Sequence, residues 1–158
     1  MCLIVDANAC SELLAKPSAV TNWLLGGRGN PRLVAAGKLR EELARVGVVQ
    51  RLLLTLERAG RLRSADAAQL RKQEESLRRE ARCQSNDRHV LALAIITGAR
   101  TLATFDHDLA GDFRNKEIIS GPRGSVYQDP ATHAHLLRHT PASCGVRSGP
   151  DRRGSRSR

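Results

Sequence analysis

The sequence predicts an α/β fold, with a parallel β-sheet covered by helices on both faces. Three observations point there. Short apolar runs at residues 2–5, 32–36 and 100–104 read as strands, and helical patterning follows the first two. The segment 90–96, Val-Leu-Ala-Leu-Ala-Ile-Ile, is apolar on nearly every side, which suits a helix packed on a sheet better than a surface helix. Strands and helices alternate along the chain without an internal repeat, the order expected of a parallel sheet.

Taken in order, residues 2–5 form a strand buried on both faces, ended by Asp6. Residues 11–15 make a helical turn stopped near Pro17, and Ser18 caps a helix through Trp23-Leu24-Leu25. A glycine-rich loop leads to the second strand, 32–36. In the helix 38–46, Leu39, Leu43 and Val46 share one face; Glu42 borders that face and Glu41 points further out. A helix over 48–56 ends at Gly60, and 61–63 make a short third strand. Ser64 or Asp66 caps a strongly charged helix, 67–81, that packs by Leu70 and Leu77. Residues 83–114 then read as loop, buried helix, turn at Gly98, strand 100–104 and acidic loop, with Ser85-Asn86-Asp87 as the helix start. Ile118-Ile119 is expected to add an edge strand, and 122–127 to form a turn. From Thr140 onward Gly, Ser, Pro and Arg dominate, so 1–139 is the expected domain and 140–158 a basic, disordered tail.

At 158 residues the chain is long enough for one domain with a substantial core. Aromatic residues are only 3%, so that core must be aliphatic, and modules that bind nucleic acid by stacking bases on aromatic platforms are disfavoured. The net charge of +10 favours an anionic partner, nucleic acid first. The tail holds five arginines (147, 152, 153, 156 and 158) against one aspartate, which leaves +6 on residues 1–139. Four scattered cysteines without metal-ligand spacing do not make a disulfide framework. With no basic leader and no apolar stretch near membrane-spanning length, the expectation is a reduced, cytoplasmic protein without a membrane partner.

Acidic residues fall where strands should end or helices begin: Asp6 after the first strand, Asp87 at a helix start, Asp106 after the 100–104 strand. Glu42 comes from the helix after the second strand. Strand ends of a parallel sheet converge on one edge, so these carboxylates could share a pocket. Two carboxylates about 4 Å apart repel by roughly 4 kcal/mol at an effective dielectric near 20, so a cluster needs a cation, and oxygen-only ligands suit Mg²⁺ or Mn²⁺. Equally, aspartates at helix starts cap free N–H groups without any chemistry. Spacing alone leaves both readings open.

The motifs Leu3-Ile4-Val5-Asp6-Ala7-Asn8, Lys38-Leu39-Arg40-Glu41-Glu42-Leu43, Asn86-Asp87-Arg88-His89-Val90-Leu91-Ala92-Leu93-Ala94 and Thr104-Phe105-Asp106-His107-Asp108-Leu109, in that order and spacing, resemble the PIN-domain family. These are metal-dependent ribonucleases that include the VapC-like toxins of toxin–antitoxin modules. The stretch from Asp112-Phe113 through Pro122-Arg123-Gly124-Ser125-Val126-Tyr127 is similar to a subgroup outside the best-known toxins, so the resemblance implies the nuclease before the toxin. It further implies a three-layer α/β/α sandwich with a central parallel sheet and a Mg²⁺ or Mn²⁺ site. Asp6, Glu42, Asp87 and Asp106 match the family's catalytic, metal-binding positions, and Asp108 matches a further acidic position near the metal. Glu41 rivals Glu42, because the adjacent pair leaves the register ambiguous. Thr104 and Asn8 are expected to orient these carboxylates by hydrogen bonds. The expected partners are RNA, an antitoxin protein if the chain is a toxin, and a second copy of the chain. The alternative is a non-catalytic RNA-binding or regulatory PIN module.

Other signals are weaker. His133, His135 and His139 lack an acidic or Cys partner at zinc-ligand spacing. His89 and His107 read as surface residues, and Arg88, Arg100, Arg114 and Arg123 as candidate phosphate contacts. Asp6-x-Asn8 is also similar to the start of haloacid-dehalogenase phosphatases, but Asn8 cannot serve as the acid that those enzymes place two residues after their nucleophile.

Overall fold

The four residues of the first strand are all apolar and all fully buried, and the sheet is built outward from them. The structure is a computed structural model, and it describes residues 2–26 and 29–138. The sheet is formed by β1 (Cys2–Val5), β2 (Arg32–Val34), β3 (Leu62–Arg63), β4 (Thr101–Ala103) and β5 (Ser125–Tyr127), in the order β3-β2-β1-β4-β5. Every pairing is parallel. Before β2 come α1 (Cys10–Leu13) and α2 (Ala19–Gly26). Then follow α3 (Gly37–Ala44), α4 (Gly47–Arg58), α5 (Ala67–Glu80), α6 (Arg88–Thr97), α7 (His107–Arg114) and α8 (Pro130–His133). The result is the expected three-layer α/β/α sandwich. No helix among the described residues is long and apolar enough to cross a membrane.

The topology fixes where a ligand belongs. From β1 the chain builds outward through β2 to β3, then returns to the other side of β1 for β4 and β5. Strand order therefore reverses between β1 and β4. In open parallel sheets ligands bind beyond the carboxyl ends of the strands at that switch point. Register brings the two ends level there, with Ile4 opposite Leu102 and Val5 opposite Ala103.

Local chemistry follows the sequence closely in the middle of the chain. Ser18 and Thr21 cap α2 reciprocally: the Thr21 N–H donates to Ser18 Oγ (3.2 Å) and the Ser18 N–H to Thr21 Oγ1 (2.8 Å). Asp66, not Ser64, caps α5, taking the Gln69 N–H at 3.0 Å. Leu70 and Leu77 are that helix's two buried residues, as expected. In α6 the run from His89 to Ala94 is buried, and Gly98 at φ 83° closes the helix with its N–H on the Ala94 carbonyl. A side chain there would sit in the left-handed region that glycine tolerates best.

Several expectations are corrected. Ile118 and Ile119 form no strand; both N–H groups bond to the Asn115 carbonyl within a turn. The edge strand is β5, inside the segment read as a turn. Arg100 is buried, its Nη1 donating to the Ala94 and Ala99 carbonyls and its Nε and Nη2 to that of Ser120, so it ties α6 to the 115–124 loop and does not face solvent phosphates. The His133 Nδ1 accepts the N–H groups of Gln128 and Asp129, which gives this histidine a structural role at the end of β5. Cys10 and Cys83 are free thiols. The expectations for His139 and for the tail, 140–158, lie outside the described residues.

Gly124 enters β5 pressed against Phe113. A Cβ at this position would overlap both the Phe113 carbonyl oxygen and its ring. A backbone oxygen cannot swing aside as a side chain does. Gly124→Ala is therefore expected to destabilise the fold by about 1–3 kcal/mol, in the range of overpacked cores. A urea midpoint equal to that of the wild type would contradict this close approach.

Candidate active site

Asp6 stands one residue beyond β1 at the switch point. Its N–H extends the strand pairing by donating to the Ala103 carbonyl at 2.9 Å. The side chain is buried, with the residue only 4% exposed, and each oxygen has a separate donor. Oδ1 accepts the Ala7 N–H at 2.8 Å, and Oδ2 accepts the Thr104 hydroxyl at 2.9 Å. Burial raises the Asp6 carboxyl above the ordinary aspartate range. The Thr104 bond opposes that shift, Asp87 nearby adds to it by repulsion, and the Ala7 bond and His89 oppose it more weakly.

Thr104 sits at the centre of a small polar network. Its single hydroxyl proton has two acceptors in reach, Asp6 Oδ2 at 2.9 Å and Asn8 Oδ1 at 3.2 Å. Its oxygen accepts the Asp106 N–H at 3.1 Å, and its carbonyl accepts from the Gln128 side-chain amide at 3.2 Å. The Phe105 N–H also donates to Asn8 Oδ1. Thr104 thus bonds to Asp6 directly, as expected from the sequence, whereas Asn8 bonds to Thr104 and to the Phe105 N–H and reaches the carboxylates only through Thr104.

The remaining carboxylates meet different fates. Asp106 caps α7: its Oδ1 takes the N–H groups of Asp108 (2.9 Å) and Leu109 (3.3 Å). Asp87 occupies the same position at the start of α6, yet its side chain makes no capping bond. The capping reading therefore holds for Asp106 and fails for Asp87. Glu42, on α3, accepts a hydrogen bond from His89 Nε2 at 3.1 Å, while its neighbour Glu41 is exposed, so it is Glu42 that faces α6. Asp108 is exposed in the first turn of α7.

Asp6 thus lies within electrostatic reach of Asp87 and His89, His89 pairs with Glu42, and Thr104 links Asp6 to the Asp106 backbone. Among the described residues, no three His, Cys, Asp or Glu side chains group closely enough to hold a metal ion by themselves. His89 is the residue that sequence reasoning misplaced: it is 6% exposed, not a surface histidine. The available signal was its position in a helix apolar on nearly every side, which leaves a histidine little room to reach water. His107 is exposed as expected.

The raised Asp6 carboxyl has a consequence for stability. A folded-state value above the unfolded one means that the folded chain binds this proton more tightly. The associated stability is fully present below the ordinary aspartate value near 3.8 and is lost as pH rises through the raised folded value. Asp6→Asn removes that loss. Its amide can donate to the Thr104 oxygen while the Thr104 proton turns to Asn8, so the network survives. In metal-free buffer the variant is expected to melt higher than wild type near neutral pH, and the gap should close in acid. A variant that melts lower at neutral pH would mean that the Asp6 bonds outweigh its burial.

Comparison of the chain with protein-family models, with curated proteins and with solved structures finds no match in any of the three.

Proposed function

We propose that the chain is a PIN-domain endoribonuclease that hydrolyses RNA phosphodiesters with Mg²⁺ or Mn²⁺, in the cytoplasm. The observation that carries this reading is Asp6, buried at the sheet's switch point with each oxygen held by a separate donor, together with Asp87 at the start of α6, whose side chain makes no capping bond. The donor chemistry fits the cation. Mg²⁺ is commonly held by one or two carboxylates and completed by water and substrate phosphate, without a full protein cage. Asp6 and Asp87 are the residues that would hold it, with Glu42, Asp106 and Asp108 around them. When bound, the ion offsets charge on the phosphate and makes water more acidic.

The chain's own residues supply orientation and proton transfer. Ala7 and Thr104 donate to different oxygens of Asp6, so that carboxylate cannot rotate. Asp87, with no competing cap bond, would accept a proton from the attacking water as its oxygen bonds to phosphorus, and the leaving sugar oxygen takes a proton from solvent as its bond to phosphorus breaks. No covalent enzyme intermediate is required. His89 holds Glu42 against α6, and Asp106 is fixed through Thr104 and the start of α7.

Asp87→Asn is expected to lower Mn²⁺-dependent cleavage of mixed RNAs by about 10²–10⁴-fold, the usual contribution of a proton-transfer group, and to leave the melting temperature unchanged. EDTA should abolish wild-type cleavage. RNA that is bound but never cut, with or without Mn²⁺, would instead support the non-catalytic RNA-binding module.

Binding should depend on salt through phosphate contacts. With roughly four to six contacts on a single strand, the slope of log affinity against log salt is expected near −3 to −4, at about −0.7 per contact. A filter-binding titration with non-cleavable RNA measures it, and a flat response would rule out an electrostatic interface.

A further inference from the structure

We infer that Asp112, acting through Ser85, is a positioning residue for Asp87: a buried carboxylate on α7 that sets where the carboxylate at the start of α6 stands. This rests on the reading of Asp87 as a catalytic residue, but its geometry is independent of that reading. Asp112 is 2% exposed, and its carboxylate accepts backbone N–H groups from the loop before α6. The Gln84 N–H lies 2.9 Å from Oδ1 and 3.0 Å from Oδ2, and the Ser85 N–H donates to Oδ2 at 2.9 Å. Ser85, itself 4% exposed, then uses its Oγ to accept the Asp87 N–H at 2.9 Å. A continuous chain of hydrogen bonds therefore runs from α7 into the loop between α5 and α6 and ends on the backbone of Asp87.

Two features make this more than loop packing. The Asp87 N–H is taken by the Ser85 side chain, and Asp87 adopts φ −90°, ψ 52°, outside the helical region. Its side chain makes no cap bond of its own, so the backbone is what sets the carboxylate's direction. The other anchor is the start of α7, where Asp106 receives the N–H groups of the first turn and is tied by its own N–H to Thr104, hence to Asp6. Asp106 and Asp112 are six residues apart on one helix, about 9 Å at 1.5 Å per residue. The helix α7 acts as a rigid spacer that refers the position of Asp87 to that of Asp6. Charge-assisted bonds to backbone N–H groups are short and strong, and outer groups that orient ligands typically change metal affinity or activity by about 10–100-fold when removed.

The test compares wild type, Asp112→Asn and Ser85→Ala. Asn at 112 keeps one acceptor but turns an NH₂ toward the donor N–H groups. Ala at 85 leaves Asp112 and its two donors intact and removes only the final bond, so it reports even if Asp112→Asn fails to fold. Two measurements are made well below each melting temperature: amide hydrogen exchange at Asp87, and Mn²⁺ affinity by calorimetry. We expect both variants to exchange the Asp87 amide faster, and folded variants to bind Mn²⁺ about 10–100-fold more weakly. Wild-type protection at Asp87 in Ser85→Ala, or wild-type Mn²⁺ affinity in a variant whose Asp87 amide is exposed, would overturn the positioning role. If wild type itself binds no Mn²⁺ and cuts no RNA, the nuclease reading fails, and the exchange data still decide whether Asp112 and Ser85 fix Asp87.

Discussion

The pairing of β1 with β4 is the constraint on which the rest depends. It joins segments 98 residues apart in sequence and puts Asp6 and Thr104 within hydrogen-bond reach at the end of the two strands. A buried carboxylate without donors would be costly enough to protonate or disrupt the strand end. Here the register supplies a donor from each side: the Ala7 N–H from its own chain and the Thr104 hydroxyl from across the pair. Shifting β4 by one residue would turn Thr104 to the other face of the sheet and leave Asp6 with a single donor. The polar network and the strand register thus specify each other.

Much of this was legible in the sequence, for physical reasons. Residues 2–5 and 90–96 are continuous apolar runs that each end at a polar residue, and burial is what such runs require. Leu70 and Leu77 stand out in a charged helix because few other residues there can pack. The edge of the sheet was not legible. Ser125-Val126-Tyr127 is too short to show a period, and its pairing depends on Gly124 letting the backbone approach Phe113. Ile118-Ile119 has the stronger β propensity but is claimed by the Asn115 carbonyl, a case of tertiary context overriding local preference. Arg100 is similar: nothing in its neighbours announces three carbonyls arranged to receive a guanidinium.

The site shows why sequence position could not separate the capping carboxylates from those that do not cap. Asp6, Asp87 and Asp106 each precede a helical segment. Asp106 caps; Asp6 takes one backbone N–H and one hydroxyl; Asp87 takes neither. The difference lies in what else reaches each helix start, and for Asp87 that is the hydroxyl of Ser85, two residues back. The acidic positions were legible as a set, but their division of labour arises only from contacts across the fold.

The long separation across the β1–β4 pair also orders events during synthesis. Asp6 leaves the ribosome 98 residues ahead of Thr104. At translation rates of about 5–20 residues per second that is a delay of roughly 5–20 s. Throughout that interval β1 has no β4 to pair with, the Asp6 carboxylate is hydrated, and the hydroxyl that fixes its orientation does not yet exist. A chain with a large positive charge therefore emerges beside ribosomal RNA before its carboxylate edge can close. Parallel pairing between the first strand and the fourth makes completion of that edge a late step in the birth of the protein.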